Sequence, residues 1–241
     1  DWSQLETEFG FPDDHVDFGN VRNFKEQRLR WAHERFRAVQ PSALVEEFRL
    51  FREREAGWLP DFARYMAIKS AHDGKSWVEW EPALRDRDPD ALAAADRDLG
   101  GEIEFQEFQQ FLFRRQWHWL RDYAREREIQ VIGDIPIFVA HDSADVWANR
   151  DQFRLNPDGS SLEVAGVPPD AFSPTGQFWG NPHYDWGKMR ANDYAWWVAR
   201  FQNTLSLVDI IRIDHFRGFA AAWTIPAGSE TAASGWWVKG P

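Results

Sequence analysis

The sharpest chemical signal in the chain is Arg212-Ile213-Asp214-His215, at the end of a mostly apolar run that begins at Leu207. Residues two apart on a strand face the same side, so Arg212 and Asp214 can point together into one site. An arginine at that distance keeps a carboxylate ionised and oriented. An ionised, positioned Asp suits nucleophilic attack on an anomeric carbon. The same residues also suit a buried structural Arg–Asp pair at a strand end. His215 can bind a ligand hydroxyl or simply pack.

A second carboxylate, Asp134, interrupts the apolar run from Ile129 to Val139 and stands just before Ile135-Pro136. A carboxylate there needs partners. It can orient a neighbouring arginine, bind ligand, or anchor loop amides. His141, Asp142 and Asp145 follow closely, but with Asp134 they match no metal-ligand spacing. Between the two strand signals, Gly166 to Trp179 joins Pro rigidity and Gly mobility to aromatic side chains. Asp170, Phe172, Gln177, Phe178 and Trp179 can line a sugar groove, with 174–176 flexing over substrate. The alternative is a loop stapled by its own aromatics. Dinucleotide, P-loop, zincin and serine-hydrolase motifs are absent.

Elements must hold these residues in place. The first 20 residues read as irregular, with a turn at 11–14. Asn20 is a candidate cap for a helix through Phe24, Leu29, Trp31, Phe36 and Val39, which Pro41 ends. Ser42 is a candidate cap for the next helix, ended by Gly57. A third helix runs through Leu59 to Ile68, and 74–90 reads as loop. A short Ala-rich helix follows Asp88-Pro89. The longest helical pattern spans Glu102 to about Glu128, and its arginines (114, 115, 121, 125 and 127), interleaved with Glu, read as a solvated face.

At Ile129 the character changes. The two nearly all-apolar strand signals suit a parallel sheet covered on both faces. Residues 140–187 are rich in turn formers and read as a long ordered loop with little regular structure. Residues 188–205 return to helix, and Trp236 and Trp237 read as packed. The step helix–strand–long loop–helix–strand belongs to a β/α barrel or doubly wound sheet, and strand-end carboxylates are where a barrel keeps its chemistry.

Composition narrows the function. The chain has 241 residues and no cysteine, which excludes disulfides, thiolate nucleophiles and Cys-held metals. A formal net charge of −11 makes a poor binder of nucleic acid or anionic membrane. No apolar run approaches the length of a membrane span. The polar first ten residues are not a signal peptide, and a cytoplasmic location is expected. With 15 Trp and 19 Phe, some aromatic surface is left over from the core for flat ligand faces such as sugars.

Three long motifs then resemble one family in the right order. The run 131–140 with 142–147, the run 165–182, and the run 211–218 resemble the third barrel strand, the active-site loop and the nucleophile strand of the amylomaltases, or 4-alpha-glucanotransferases. Runs 16–19 and 62–69 fit the same family's helical insertion. The resemblance implies an α/β fold: part of a (β/α)8 TIM barrel, with two clear barrel strands and a large all-helical insertion. It implies a mainly helical unit at 1–128 and partial barrel at 129–241 with the loop 140–187. Asp214 would be the nucleophile of a retaining double displacement and Arg212 its partner. Asp134 would sit near the donor sugar, Asp170 on the loop over the acceptor side, and Trp179 against a glucose ring. Phe172, Asn181 and His215 join them as substrate-contacting positions. The substrates would be maltooligosaccharides and α-1,4-glucans, with no cofactor and no metal.

One departure matters. Family members run to roughly twice this length and carry a general acid Glu further on. Retaining chemistry needs two carboxyl groups ~5 Å apart, and only the nucleophile is found here. The chain therefore reads as a central portion whose partner is the remainder of the parent barrel polypeptide, and which is inactive alone. A hydrolase of the same barrel class, or a glucan-binding fragment without catalysis, are the competing readings.

Overall fold

The computed structural model describes residues 11, 12 and 14–241. The turn expected at 11–14 includes Asp13, which lies outside the described residues, as do the first ten. The first helix, α1 (Phe18–Val39), starts two residues before the expected cap: Asp17 caps it by accepting the Asn20 N–H at 3.1 Å. It ends at Gln40, ahead of Pro41, as a proline demands. Ser42 is the first residue of α2 (Ser42–Arg54) rather than its cap, and that helix stops three residues before Gly57.

Helix α3 (Leu59–Ala71) follows. The segment read as loop after it holds a 3-10 turn at Trp77–Glu79 and the short α4 (Pro82–Arg85). Helix α5 (Pro89–Asp98) is capped by Asp88, and α6 (Gly100–Arg125) is the longest element. Phe36, Phe48, Phe51 and Leu59 close on Phe108 and Phe111 of α6, forming one aromatic core. A second core joins the helices to the strands: Tyr65, Ile68, Trp77 and Trp80 pack with Ile137, Phe138, Trp147, Tyr184 and Trp197. Here the tryptophans carry polar work too. Trp77 Nε1 donates to the His141 carbonyl at 2.8 Å and Trp147 Nε1 to that of Leu84 at 3.1 Å.

The solvated face expected of α6 is half wrong. Arg114 and Arg121 are buried, 4 and 5 % exposed. Both point at the chain leading into the second strand signal. Arg114 bonds Asn203 and Ser206, while Arg121 reaches the Ser206 carbonyl at 2.5 Å and Asp209 at 2.8 Å. Arg125 adds a second cation to Asp209, whose other oxygen accepts the Val131 N–H at 3.0 Å. These partners make the burial tolerable, since a buried charge without them is costly.

The two strand signals are confirmed as β1 (Ile132–Pro136) and β4 (Ile210–Asp214), paired in parallel with Asp134 beside Arg212 and Pro136 beside Asp214. They are not covered on both faces as expected, for Ile132 and Ile210 stand exposed. The stretch 140–187 is more regular than its turn formers suggest. It contains α7 (Ala144–Ala148), β2 (Glu163–Val167), β3 (Gln177–Pro182) and the start of α8 (Trp186–Ala191). Helix α9 (Ala195–Leu205) then leads to β4. After β4 come β5 (Ala221–Pro226) and β6 (Trp236–Lys239). The order β3-β2-β5-β6 makes an antiparallel sheet. Gly166 permits the β2–β3 contact, because a Cβ there would lie 2.3 Å from the Gln177 carbonyl oxygen. Trp236 and Trp237, expected to be packed, remain partly exposed on β6.

Candidate active site

Parallel pairing places Asp134 and Arg212 on neighbouring strands, and period-two alternation puts Asp214 on the same face as Arg212. The guanidinium spans both carboxylates. Its Nε lies 3.0 Å from Asp134 Oδ1, and its Nη2 lies 2.7 Å from Asp134 Oδ2 and 3.2 Å from Asp214 Oδ1. Asp134 most of all, and then Asp214, hold the guanidinium protonated, above its ordinary range. The Arg212, Asp134 and Asp214 side chains are 64, 53 and 63 % exposed. A buried structural pair is therefore not what stands here. Open ion pairs add little to stability, so three charges fixed in register at two strand ends call for another use.

Asp214 faces a cleft of about 460 Å³ walled by 136–140, Ser143, Asp145, Trp179, Asn181 and His215. His215 follows the strand in a left-handed conformation, φ 50°, which turns its ring edge-on to Trp179 with centroids 4.8 Å apart. Burial lowers its pKa, so it is a neutral donor or acceptor at pH 7. Trp179 is steadied by its Nε1 bond to Gln177 Oε1 at 3.0 Å. Asn181 spends its amide on the Val139 carbonyl at 2.8 Å, joining β3 to the opposite wall.

The site thus gathers Asp134, Arg212, Asp214, His215, Trp179 and Asn181. It does not gather Asp170 or Phe172. Asp170 Oδ1 accepts the N–H groups of Phe172 at 2.8 Å and Ser173 at 2.7 Å, shaping its own loop, and Phe172 is 97 % exposed outside the cleft. Sequence reasoning did not place 136–140, Ser143 or Asp145 in the wall. In the sequence, Asp145 reads only as a candidate metal ligand. Its signal was position: residues just after a strand's carboxyl end fall on the site side.

Asp142 and His141, outside the cleft wall, serve other ends. Asp142 accepts from Tyr65 at 2.7 Å and Lys69 at 2.5 Å, and His141 pairs with the Gly159 carbonyl at 2.8 Å. Among the described residues no group of three or more His, Asp or Glu is placed to hold a metal ion. Nor is any described helix long and apolar enough to cross a membrane.

Known proteins share this arrangement of sequence and fold. The model of the family described as 4-alpha-glucanotransferase matches residues 2–241. The 4-alpha-glucanotransferases of Synechocystis sp. and Thermus thermophilus are 45 and 47 % identical over 232 residues, covering 96 % of this chain and 46 % of each of those proteins. A chloroplastic/amyloplastic 4-alpha-glucanotransferase of Solanum tuberosum is 42 % identical over 95 % of this chain. The structure of an amylomaltase from Streptococcus agalactiae in complex with acarbose superposes with a TM-score of 0.92 at 37 % identity, over 97 % of this chain and 47 % of that one. The chain spans about half the length of the curated relatives it matches.

Proposed function

This chain belongs to the 4-alpha-glucanotransferase family, and from that premise we propose that it carries the nucleophile half of a retaining transfer site for α-1,4-glucans. The observation that supports this most is the Arg212 guanidinium bridging Asp134 and Asp214, with Asp214 open to an aromatic-walled cleft. The donor glucan lies with a sugar ring against Trp179. An Asp214 oxygen attacks the anomeric carbon as the glycosidic bond breaks. The leaving oxygen takes a proton from a Glu that lies outside this chain. The product of this step is a β-glucosyl ester on Asp214.

In the second step, the 4-hydroxyl of an acceptor attacks the same carbon. Its proton returns to that Glu, the ester bond breaks, and the α-linkage is restored. Arg212 aims Asp214 for the attack in the first step and stabilises the carboxylate that leaves when the ester breaks in the second. Asp134 orients Arg212 and meets the donor sugar, and His215 takes a sugar hydroxyl. Asp170 and Phe172 act from their loop on the acceptor side. Nucleophile, acid and base are all side chains, so the reaction calls for no metal ion or cofactor.

The finer architecture belongs to the same proposal. Strands β1 and β4 are two strands of a (β/α)8 barrel, residues 1–128 supply a helical insertion and barrel-covering helices, and the remainder of the parent polypeptide completes the barrel. A cytoplasmic location suits soluble glucan substrates. The test is incubation of the complete polypeptide with maltotriose and chromatography of the products. Glucose with maltopentaose and longer chains supports transfer. Equal glucose and maltose with nothing longer moves the assignment to a hydrolase. The 241-residue chain alone, lacking the acid, is expected to form neither.

A further inference from the structure

Beyond the residues that meet substrate, we infer that Arg200 is a positioning residue of this site, holding the carboxyl end of β1 in place beside Asp214. The inference rests on the transferase reading. Arg200 lies on α9, the helix that feeds the nucleophile strand, yet its side chain grips the other strand. Its Nη2 donates to the Pro136 carbonyl at 2.6 Å and its Nη1 to the Ile137 carbonyl at 3.2 Å. Pro136 is the register partner of Asp214, and Ile137 is the first residue beyond the ladder. One guanidinium therefore ties the approach to β4 to the end of β1 and sets how far each strand reaches into the cleft.

The fork is itself held on two sides. Its carbon lies 4.9 Å from the Trp197 ring centroid and 5.4 Å from that of Trp196, a cation–π seat that fixes its plane. Tyr184, buried in the main core, donates its hydroxyl to the Ile137 carbonyl at 2.7 Å and lies 3.4 Å from Arg200 Nη1. The backbone so anchored, 136–140, is one wall of the cleft, with Asp214 facing it. Asp145 on the same wall feels the Arg200 charge, which opposes the upward push that burial gives its carboxyl. A planar fork satisfying two successive carbonyls fixes their spacing, which a single ammonium cannot do. Misplacing reacting groups by ~1 Å costs ~100-fold in rate.

The test uses the complete polypeptide with Arg200→Met, Arg200→Lys and Tyr184→Phe. Transfer from maltotriose is measured as kcat and KM, with kcat divided by the burst of covalently labelled enzyme so that only competent sites count. The expected result is a fall in kcat of ~30- to 100-fold for Met, with KM changed less than ~3-fold. Lysine is expected to recover about half of that loss on a logarithmic scale, and phenylalanine at 184 to lose ~3- to 10-fold. A merely structural Arg200 would shrink the burst but leave kcat per labelled site at the wild-type value, and that result overturns the inference. Should the Met variant not fold, the Lys and Phe variants decide it by the same per-site kcat. Wild-type protein that makes no maltopentaose overturns the transferase reading and this inference with it. Wild-type transfer with unchanged per-site kcat in the variants overturns the inference alone.

Discussion

Replacing Gly133 by alanine is expected to drive a methyl group into Val208. An ideal Cβ at 133 lies 2.7 and 2.9 Å from the two Val208 methyl carbons. Carbon atoms pack at ~3.5–4.0 Å, so one side must retreat by close to 1 Å. Val208 is buried just ahead of β4, and Gly133 pairs with Ile211 beside the Asp134–Arg212 pair. Overpacking of this kind costs ~1–3 kcal/mol. Val208→Ala removes two buried methyl groups, at ~0.8 kcal/mol each before any cavity term. In the double variant the new methyl occupies the space that valine vacates. The pair is then expected to cost ~1–2 kcal/mol less than the sum of the singles, a coupling of the size measured for residues in contact. Urea unfolding of the four proteins, followed by tryptophan fluorescence, measures the cycle. Costs that add within ~0.5 kcal/mol refute the contact and with it the reason a glycine precedes Asp134.

Three further outcomes follow from the site and its supports. Burial of His183 against Phe138 holds its pKa down to about 4. Its neutral form is what the fold keeps, so as pH falls from ~6.5 towards 4 the unfolded chain takes the proton first and stability drops by ~3 kcal/mol from this group. His183→Gln is expected to flatten that part of the urea-midpoint profile, and an unchanged slope counts against it. Arg212→Lys keeps a charge but loses the fork across Asp134 and Asp214, so kcat/KM on maltotriose is expected to fall ~10- to 100-fold. Trp179→Ala removes the stacking face and is expected to raise KM about tenfold, near 1.4 kcal/mol, with a smaller effect on kcat.

What the sequence revealed and what it hid have physical causes. β1 and β4 were legible because short, nearly all-apolar runs that carry a carboxylate have few other readings. A parallel sheet was expected of them, and Arg212 with Asp214 on one face; that the two strands pair with each other and bring Asp134 onto Arg212 comes from the fold. The antiparallel sheet was not legible. β2 and β3 are short and carry Gly166, Gly180 and Pro182, residues that read as turns, and β5, which pairs with the other edge of β2, lies some sixty residues further on. Arg114 and Arg121 were read as solvated because spacing along a helix says which residues share a face, not which face a later segment will cover. Asn203, Ser206 and Asp209, which give those arginines their partners, come about ninety residues after them. Arg200 carried no motif at all; its meaning lies in two backbone carbonyls that only the fold brings to it.

In the proposed reaction Asp214 forms a covalent bond to the transferred glucan, and that bond can be trapped. The complete polypeptide is treated with a fluorinated α-glucosyl fluoride, whose ester forms faster than it is cleaved, and is then digested and analysed by mass spectrometry. One added glucosyl unit is expected on the peptide that contains Asp214, and none on the same peptide of the Asp214→Asn protein. A label on a different carboxylate, or full transfer activity in Asp214→Asn, would contradict it.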